Sequence, residues 1–146
     1  ASNDRNRVAG EGKLADGCLT SLPPSIADNE GFDAIRLIDV LWLERPSGQV
    51  MAAFEVEHTT SIYSGIVRLL DLALGPAQAS VCGLFLVAPD EREDEVRTQL
   101  KRPAFSRVSD LAVRFLPYGE LEQHRESVAR FGSGMKAIEA LARTLG

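Results

Sequence analysis

Cysteine and aromatic side chains are scarce in this chain: two Cys, one Trp, and 6% aromatics over 146 residues. Cys18 stands in a loop-like stretch and Cys82 inside an apolar run, so the pair makes neither a disulfide framework nor a four-ligand zinc site. A reducing, cytoplasmic setting is expected. Positive charge is also in deficit, with 16 Lys and Arg against 21 Asp and Glu and a net charge of -5. That excludes a broad basic footprint for phosphate contact, so any nucleic-acid role has to be local. The longest apolar run, Val81 to Ala88, is far short of the roughly 20 residues that a bilayer-spanning helix needs, and no basic segment followed by an apolar block marks a secretion signal. A Gly-rich phosphate loop is missing, and no Ser is matched with a His and an orienting acid as a hydrolase triad requires. The chain does not start with Met and its first residues read like mid-sequence. One domain over residues 1–146 is expected, as part of a longer protein with further domains.

What is present is a hydrophobic content of 45%, enough for a real core. Residues 1–32 are rich in Gly, Asn, Asp and Ser, carry Pro23-Pro24, and read as loops holding at most one short helix or strand. Arg36 to Glu44 and Met51 to Glu57 are dense in β-branched and large apolar residues, and Arg45-Pro46-Ser47-Gly48-Gln49 between them is a turn, so the pair predicts a β-hairpin. Ser61 to Leu74 places Ile62, Ile66, Leu69, Leu70 and Ala73 at helical spacing, with Thr60 or Ser61 as N-cap and Gly75-Pro76 as stop. Its polar face is Ser61, Ser64, Arg68 and Asp71. Val81 to Ala88 predicts a central strand covered on both faces and parallel to its predecessor. Asp90 and Glu93 make a cap pattern for a charged helix to about Arg102, ended by Pro103. Leu111 to Leu116 predicts a strand, and Gly119 to Phe131 and Met135 to Leu145 predict helices split by Gly132-Ser133-Gly134. The expected fold is α/β: a mixed central sheet, helices on both faces, and one antiparallel pair.

A hairpin centred on Ser47 pairs residues whose numbers sum to 94: Glu44 with Val50, Leu41 with Ala53, Asp39 with Glu55. Directly opposite positions have Cβ atoms about 5 Å apart, and like charges placed so are destabilising unless compensated. Glu57, two residues past Glu55, points to the same side, roughly 7 Å further along. Ile38, Val40, Phe54 and Val56 interleave with these acids, so the cluster borders buried surface. Such carboxylates must take up protons or bind a cation, and hard oxygen ligands suit Mg²⁺ or Mn²⁺.

Asp39 on one strand, a short hairpin, then Glu55-Val56-Glu57, a helix and a buried parallel strand together resemble the PD-(D/E)xK superfamily of restriction-endonuclease-like nucleases. The run from Phe54 to Gly65 also resembles a bacterial branch of it. The resemblance covers about Ile35 to Ala88. It implies a restriction-endonuclease-like mixed central β-sheet flanked by helices, with Asp39, Glu55 and the main-chain carbonyl of Val56 as ligands of a catalytic Mg²⁺ or Mn²⁺. Ile38 stands where the superfamily's name has Pro, and Glu57 where it has Lys. Some type II restriction enzymes cut DNA with Glu at that place, where it binds metal or orients the attacking water. The positive charge toward phosphate must then come from elsewhere, and Arg68, on the polar face of the next helix, is the candidate.

The resemblance therefore implies a Mg²⁺-dependent nuclease acting on DNA, with a homodimer as one arrangement for cutting both strands. A catalytically inactive module for nucleic-acid or protein interaction, its acids holding a structural cation or sharing a proton, is the alternative, and a hydrolase of a small phosphorylated molecule a third. Arg68 contacts phosphate or pairs with Asp71 or Glu57. His58 points away from the acids and is expected to be structural, Tyr63 to pack, His124 to lie at the surface, and Asp90 to Glu95 to be a solvated helix start. Asn3, Asp4, Arg5 and Arg7 read as a flexible terminus. Glu30 precedes the hairpin, where some members of the superfamily carry a supplementary acid.

Overall fold

A run that is apolar at every position is stable only where both its faces are covered, and Gly83–Ala88 is such a run: all six residues are buried. In the computed structural model, which describes residues 5–28, 32–75, 81–106, 112–131 and 135–146, it is an inner strand of a four-stranded sheet. The elements in chain order are β1 (Val8–Ala9), β2 (Gly12–Lys13), α1 (Pro24–Ala27), α2 (Phe32–Ile35), β3 (Val40–Leu43), β4 (Val50–Val56), α3 (Ile62–Leu74), β5 (Gly83–Ala88), α4 (Glu93–Leu100), α5 (Pro103–Ser106), β6 (Val113–Pro117), α6 (Tyr118–Gln123), α7 (Arg125–Phe131) and α8 (Met135–Leu141). The sheet order is β3-β4-β5-β6. β3 and β4 are antiparallel, whereas β4, β5 and β6 are parallel.

Alternation along the strands divides the core in two. Ala53, Leu84, Leu86, Val113 and Phe115 meet Ile62, Ile66 and Leu69 of α3 and Val96 and Leu100 of α4. On the opposite face Ala52, Phe54, Phe85, Val87 and Leu116 pack with Ile138 of α8, under partly buried Tyr118, Leu121 and Val128. The expected mixed sheet with helices on both faces is therefore the observed one. Ser61 caps α3, its hydroxyl accepting from the Ser64 N–H at 3.4 Å, and Gly75 follows its last residue.

Differences from expectation have local causes. Residues from Phe32 to Ile35 form a helical turn that buries Ile35, so the first hairpin strand begins at Val40 rather than Arg36. Leu41 pairs with Ala53 as expected, but a bulge after Trp42 pairs Leu43 with Val50 and takes Glu44 out of that position. Glu44 instead closes the turn, its N–H donating to the Gln49 carbonyl and its own carbonyl accepting from Gly48. Gly48 has φ +71°, a left-handed conformation suited to glycine. The N-terminal segment holds more than one short element, since β1 and β2 form a hairpin and α1 follows.

Asp90 does not cap the next helix through a box with Glu93. A 3₁₀ turn over Asp90–Arg92 leads into α4, and the Asp90 carboxylate accepts the Gly119 N–H at 2.7 Å. α4 stops at Leu100, and Pro103 opens α5 instead of ending a longer helix, in keeping with proline's tolerance for a first helical turn. The helix expected from Gly119 to Phe131 starts at Tyr118 and is divided at His124 into α6 and α7. α8 ends at Leu141, after which Arg143 exchanges both backbone hydrogen bonds with Phe115 on β6. Cys18 and Cys82 are both exposed. Leu111, the Gly132-Ser133-Gly134 break, Pro76, Asn3, Asp4 and Glu30 lie outside the described residues. Among the described residues no helix is long and apolar enough to cross a membrane.

Candidate active site

The end of β4 sets two acids on the α3 face of the sheet. Glu55 is 0% and Glu57 2% exposed, while Val56 between them turns the other way and is 41% exposed. Two carboxylates removed from water together need a positive charge between them. Arg68 supplies it from α3, one helical turn beyond Ser64. Its Nε donates to Glu55 Oε1 at 2.9 Å and its Nη2 to Glu55 Oε2 at 2.5 Å, a two-pronged pairing. Nη2 also donates to Glu57 Oε1 at 2.8 Å. The Thr60 hydroxyl donates to the other Glu57 oxygen. Burial pushes the Glu55 carboxyl above the usual range, against the opposing bond and charge of Arg68, with Asp39 and Glu57 adding to the rise. The bond to Glu55 is the largest cause raising the Arg68 guanidinium.

Helix α3 can approach the acids this closely because of Gly65. A Cβ there would lie 2.7 Å from Glu57 Oε1 and 3.0 Å from Leu86 Cδ1. The glycine thus serves close packing against a carboxylate already held by Arg68 and Thr60.

Asp39 is in register with Glu55, since Val40 pairs with Phe54, but it lies just before β3 rather than in the ladder. Its Oδ2 accepts the Val56 N–H at 2.9 Å, which ties its carboxylate to the end of β4. Asp39, Val56, Glu57, Thr60, Ser61, Ser64 and Arg68 line a cleft of about 410 Å³, and Glu55 is sealed from solvent behind the Arg68 pairing. Among the described residues no three His, Cys, Asp or Glu side chains are gathered as a metal shell. The Arg68 guanidinium stands between the two buried carboxylates.

The other residues singled out in the sequence are distributed around this cleft. Arg68 takes Glu57, one of its two expected partners, and adds Glu55. His58 stacks on Tyr118 at 5.9 Å with an interplanar angle of 4°, and Tyr63 packs on Phe105 at 5.4 Å, both as expected. Arg5 is tied back to the carbonyls of Leu19 and Thr20, so at that residue the terminus is anchored rather than loose. His124 is partly buried and 3.7 Å from Glu120. The sequence marks Thr60 only as a cap candidate and Gly65 only as the end of the Phe54 to Gly65 run, and does not mark Arg92 at all. Thr60 sits three residues past Glu57, and that spacing was the available sign. Arg92 contacts the site across 35 positions and left none.

Residues 1–142 match the family described as the C-terminal domain of the type II restriction enzyme NmeDI. The chain belongs to this family. The type II restriction enzyme NmeDI of Neisseria meningitidis serogroup C is 33% identical over 132 residues, covering 84% of this chain and 35% of its own length. The chain thus spans about a third of the length of that curated relative. No solved structure matches. Membership in the NmeDI C-terminal-domain family agrees with the restriction-enzyme resemblance read around Asp39 and Glu55-Val56-Glu57 at the level of a restriction-enzyme-related domain.

Two predictions follow from the packing of this NmeDI-type domain. Gly65→Ala forces the Glu57 carboxylate or helix α3 to move and is expected to lower stability by about 1–3 kcal/mol, measured by urea unfolding. An unchanged midpoint would show that the carboxylate yields freely. The second concerns pH. A carboxyl whose pKa is raised on folding stabilises the folded state fully below its unfolded value, and that contribution is lost as pH rises through the folded value. The stability of metal-free wild type relative to Glu55→Gln is therefore expected to fall as pH rises from below about 4 to neutrality, by thermal unfolding at several pH values. A relative gain over that interval would contradict the cause given for the Glu55 shift.

Proposed function

We propose that this domain is a metal-dependent nuclease that hydrolyses phosphodiester bonds of DNA. One observation carries the reading: in a chain related to a type II restriction enzyme, Glu57 and Arg68 line one cleft with Asp39, and Arg68 reaches Glu55 directly behind it. The donors are all hard oxygens, and two buried carboxylates share one guanidinium. Such a set is short of positive charge and fits Mg²⁺ or Mn²⁺. Asp39, Glu55, Glu57 and the main-chain carbonyl of Val56 would hold the ion. When bound, a divalent ion of this kind lowers the pKa of water and neutralises charge developing on a phosphate.

The chain's own groups do the rest. Val56 N–H holds the Asp39 carboxylate toward the end of β4. Glu57, steadied by the Thr60 hydroxyl, orients the attacking water and takes its proton. Arg68 lines the same cleft, and its planar guanidinium is the group that engages the phosphate, the task for which Lys is usual at the position of Glu57. With a net charge of -5 the domain has no broad basic surface, so its contact with phosphate is a local one centred on Arg68.

A second reading has an observation of its own. The pairing of Arg68 with Glu55 is complete, with both carboxylate oxygens engaged, as in an inactive module that keeps the fold for nucleic-acid or protein interaction. Calorimetric titration of Mn²⁺ into the domain and into Glu55→Ala, with nicking of supercoiled plasmid assayed on the same samples, separates the two. The nuclease reading predicts binding and nicking that are both lost in Glu55→Ala. Binding without nicking in either protein supports the inactive module, and no binding by the wild type overturns the metal site.

A further inference from the structure

Glu57 is the last acid of the site but lies beyond the last ladder pair of β4. Its N–H still donates to the Val87 carbonyl at 2.8 Å, and from there the chain turns through residues 58–60 into α3. Backbone carbonyls in such a turn have no strand partner and must find donors elsewhere. They find Arg92. From the 3₁₀ turn after β5, its Nη1 donates to the carbonyls of Glu57 at 2.7 Å and His58 at 3.1 Å, and its Nη2 to that of Thr60 at 3.0 Å. Nε and Nη2 hold Glu95 at 3.0 Å each. A guanidinium has five N–H donors in a rigid fork, and these five bonds use all of them. The Arg92 side chain is only 17% exposed. His58 is fixed further by its ring on Tyr118, and Thr60, held by Arg92 through its carbonyl, holds Glu57 through its hydroxyl.

We infer that Arg92 is a positioning residue: by gripping the carbonyls of Glu57, His58 and Thr60 it sets where the Glu57 carboxylate stands in the cleft. The inference rests on the reading of that cleft as a cation site. Arg92 touches no carboxylate of the site, only the backbone that carries one. Residues that orient a metal ligand typically cost 10–100-fold in affinity when removed. The sign of the effect is diagnostic, because removing a cation near a divalent-metal site would tighten binding if charge alone mattered, whereas loss of positioning weakens it. Lysine keeps the charge but is a single point donor and cannot span the carbonyls.

The test is Mn²⁺ titration of the whole chain as wild type, Arg92→Ala and Arg92→Lys, with thermal midpoints and amide hydrogen exchange on the same proteins. Arg92→Ala and Arg92→Lys are expected to bind about 10-fold or more weakly than wild type, with faster exchange confined to residues 58–61. Equal or tighter binding by Arg92→Lys overturns the inference. Should Arg92→Ala fail to fold, Arg92→Lys decides. Should the wild type not bind Mn²⁺, the cation reading itself has failed, and hydrogen exchange then decides the clamp: acceleration confined to residues 58–61 in Arg92→Lys retains it, and unchanged exchange overturns it.

Discussion

Two carboxylates side by side in a protein interior repel one another and lose their hydration, and the structure around β4 is organised by that constraint. Glu55 and Glu57 are nearly sealed from solvent, so a cation has to reach them from the element packed on that face of the sheet. This fixes the rotational phase of α3, because Arg68 must point at the end of β4 while Ile62, Ile66 and Leu69 enter the core. It also requires Gly65, since a larger residue would meet the Glu57 carboxylate. The Ser61 cap then fixes where α3 starts, and Arg92 fixes the turn that leads to it. The raised pKa of Glu55 reflects the same conflict: burial outweighs what Arg68 returns.

The cleft that results lies at the carboxyl ends of parallel strands, where open α/β sheets bind their ligands. Its chemistry is polar and oxygen-rich on the side of Asp39, Glu57 and Ser64. Across Val56 the surface changes to a second, apolar cleft of about 680 Å³, between the ends of β4 and β5 and the helices α6 and α7. Val56 therefore stands between a polar cleft and an apolar one and lines both, while its N–H serves Asp39.

Periodicity carried most of this into view from the sequence. The period-2 pattern around Phe54-Glu55-Val56-Glu57 put both acids on one face, and the period-3.6 pattern from Ile62 to Ala73 set Arg68 on the polar face of α3. A run with no polar residue revealed β5. What escaped depended on contacts distant in sequence or on small backbone irregularities. The bulge after Trp42 moved the far end of the hairpin by one residue without disturbing the end that carries Asp39. Asp39 itself left the ladder because α2 and Ile38 hold the preceding chain in a turn, and its carboxylate went to a backbone donor. Asp90 looked like a helix cap but serves Gly119, 29 residues away. Arg92, one of several arginines in a charged stretch, carries no local mark of its grip on the turn beyond Glu57.

In the proposed nuclease a divalent cation takes the Glu55 carboxylate that Arg68 now holds, which frees the guanidinium for phosphate. Diffraction from crystals of this chain grown with Mn²⁺, collected at the manganese edge, tests that most directly. The expected result is an anomalous peak bonded by Asp39 and Glu55, with Arg68 withdrawn from the Glu55 carboxylate. Arg68 still bonded to both Glu55 and Glu57, with no peak in the cleft, would contradict it.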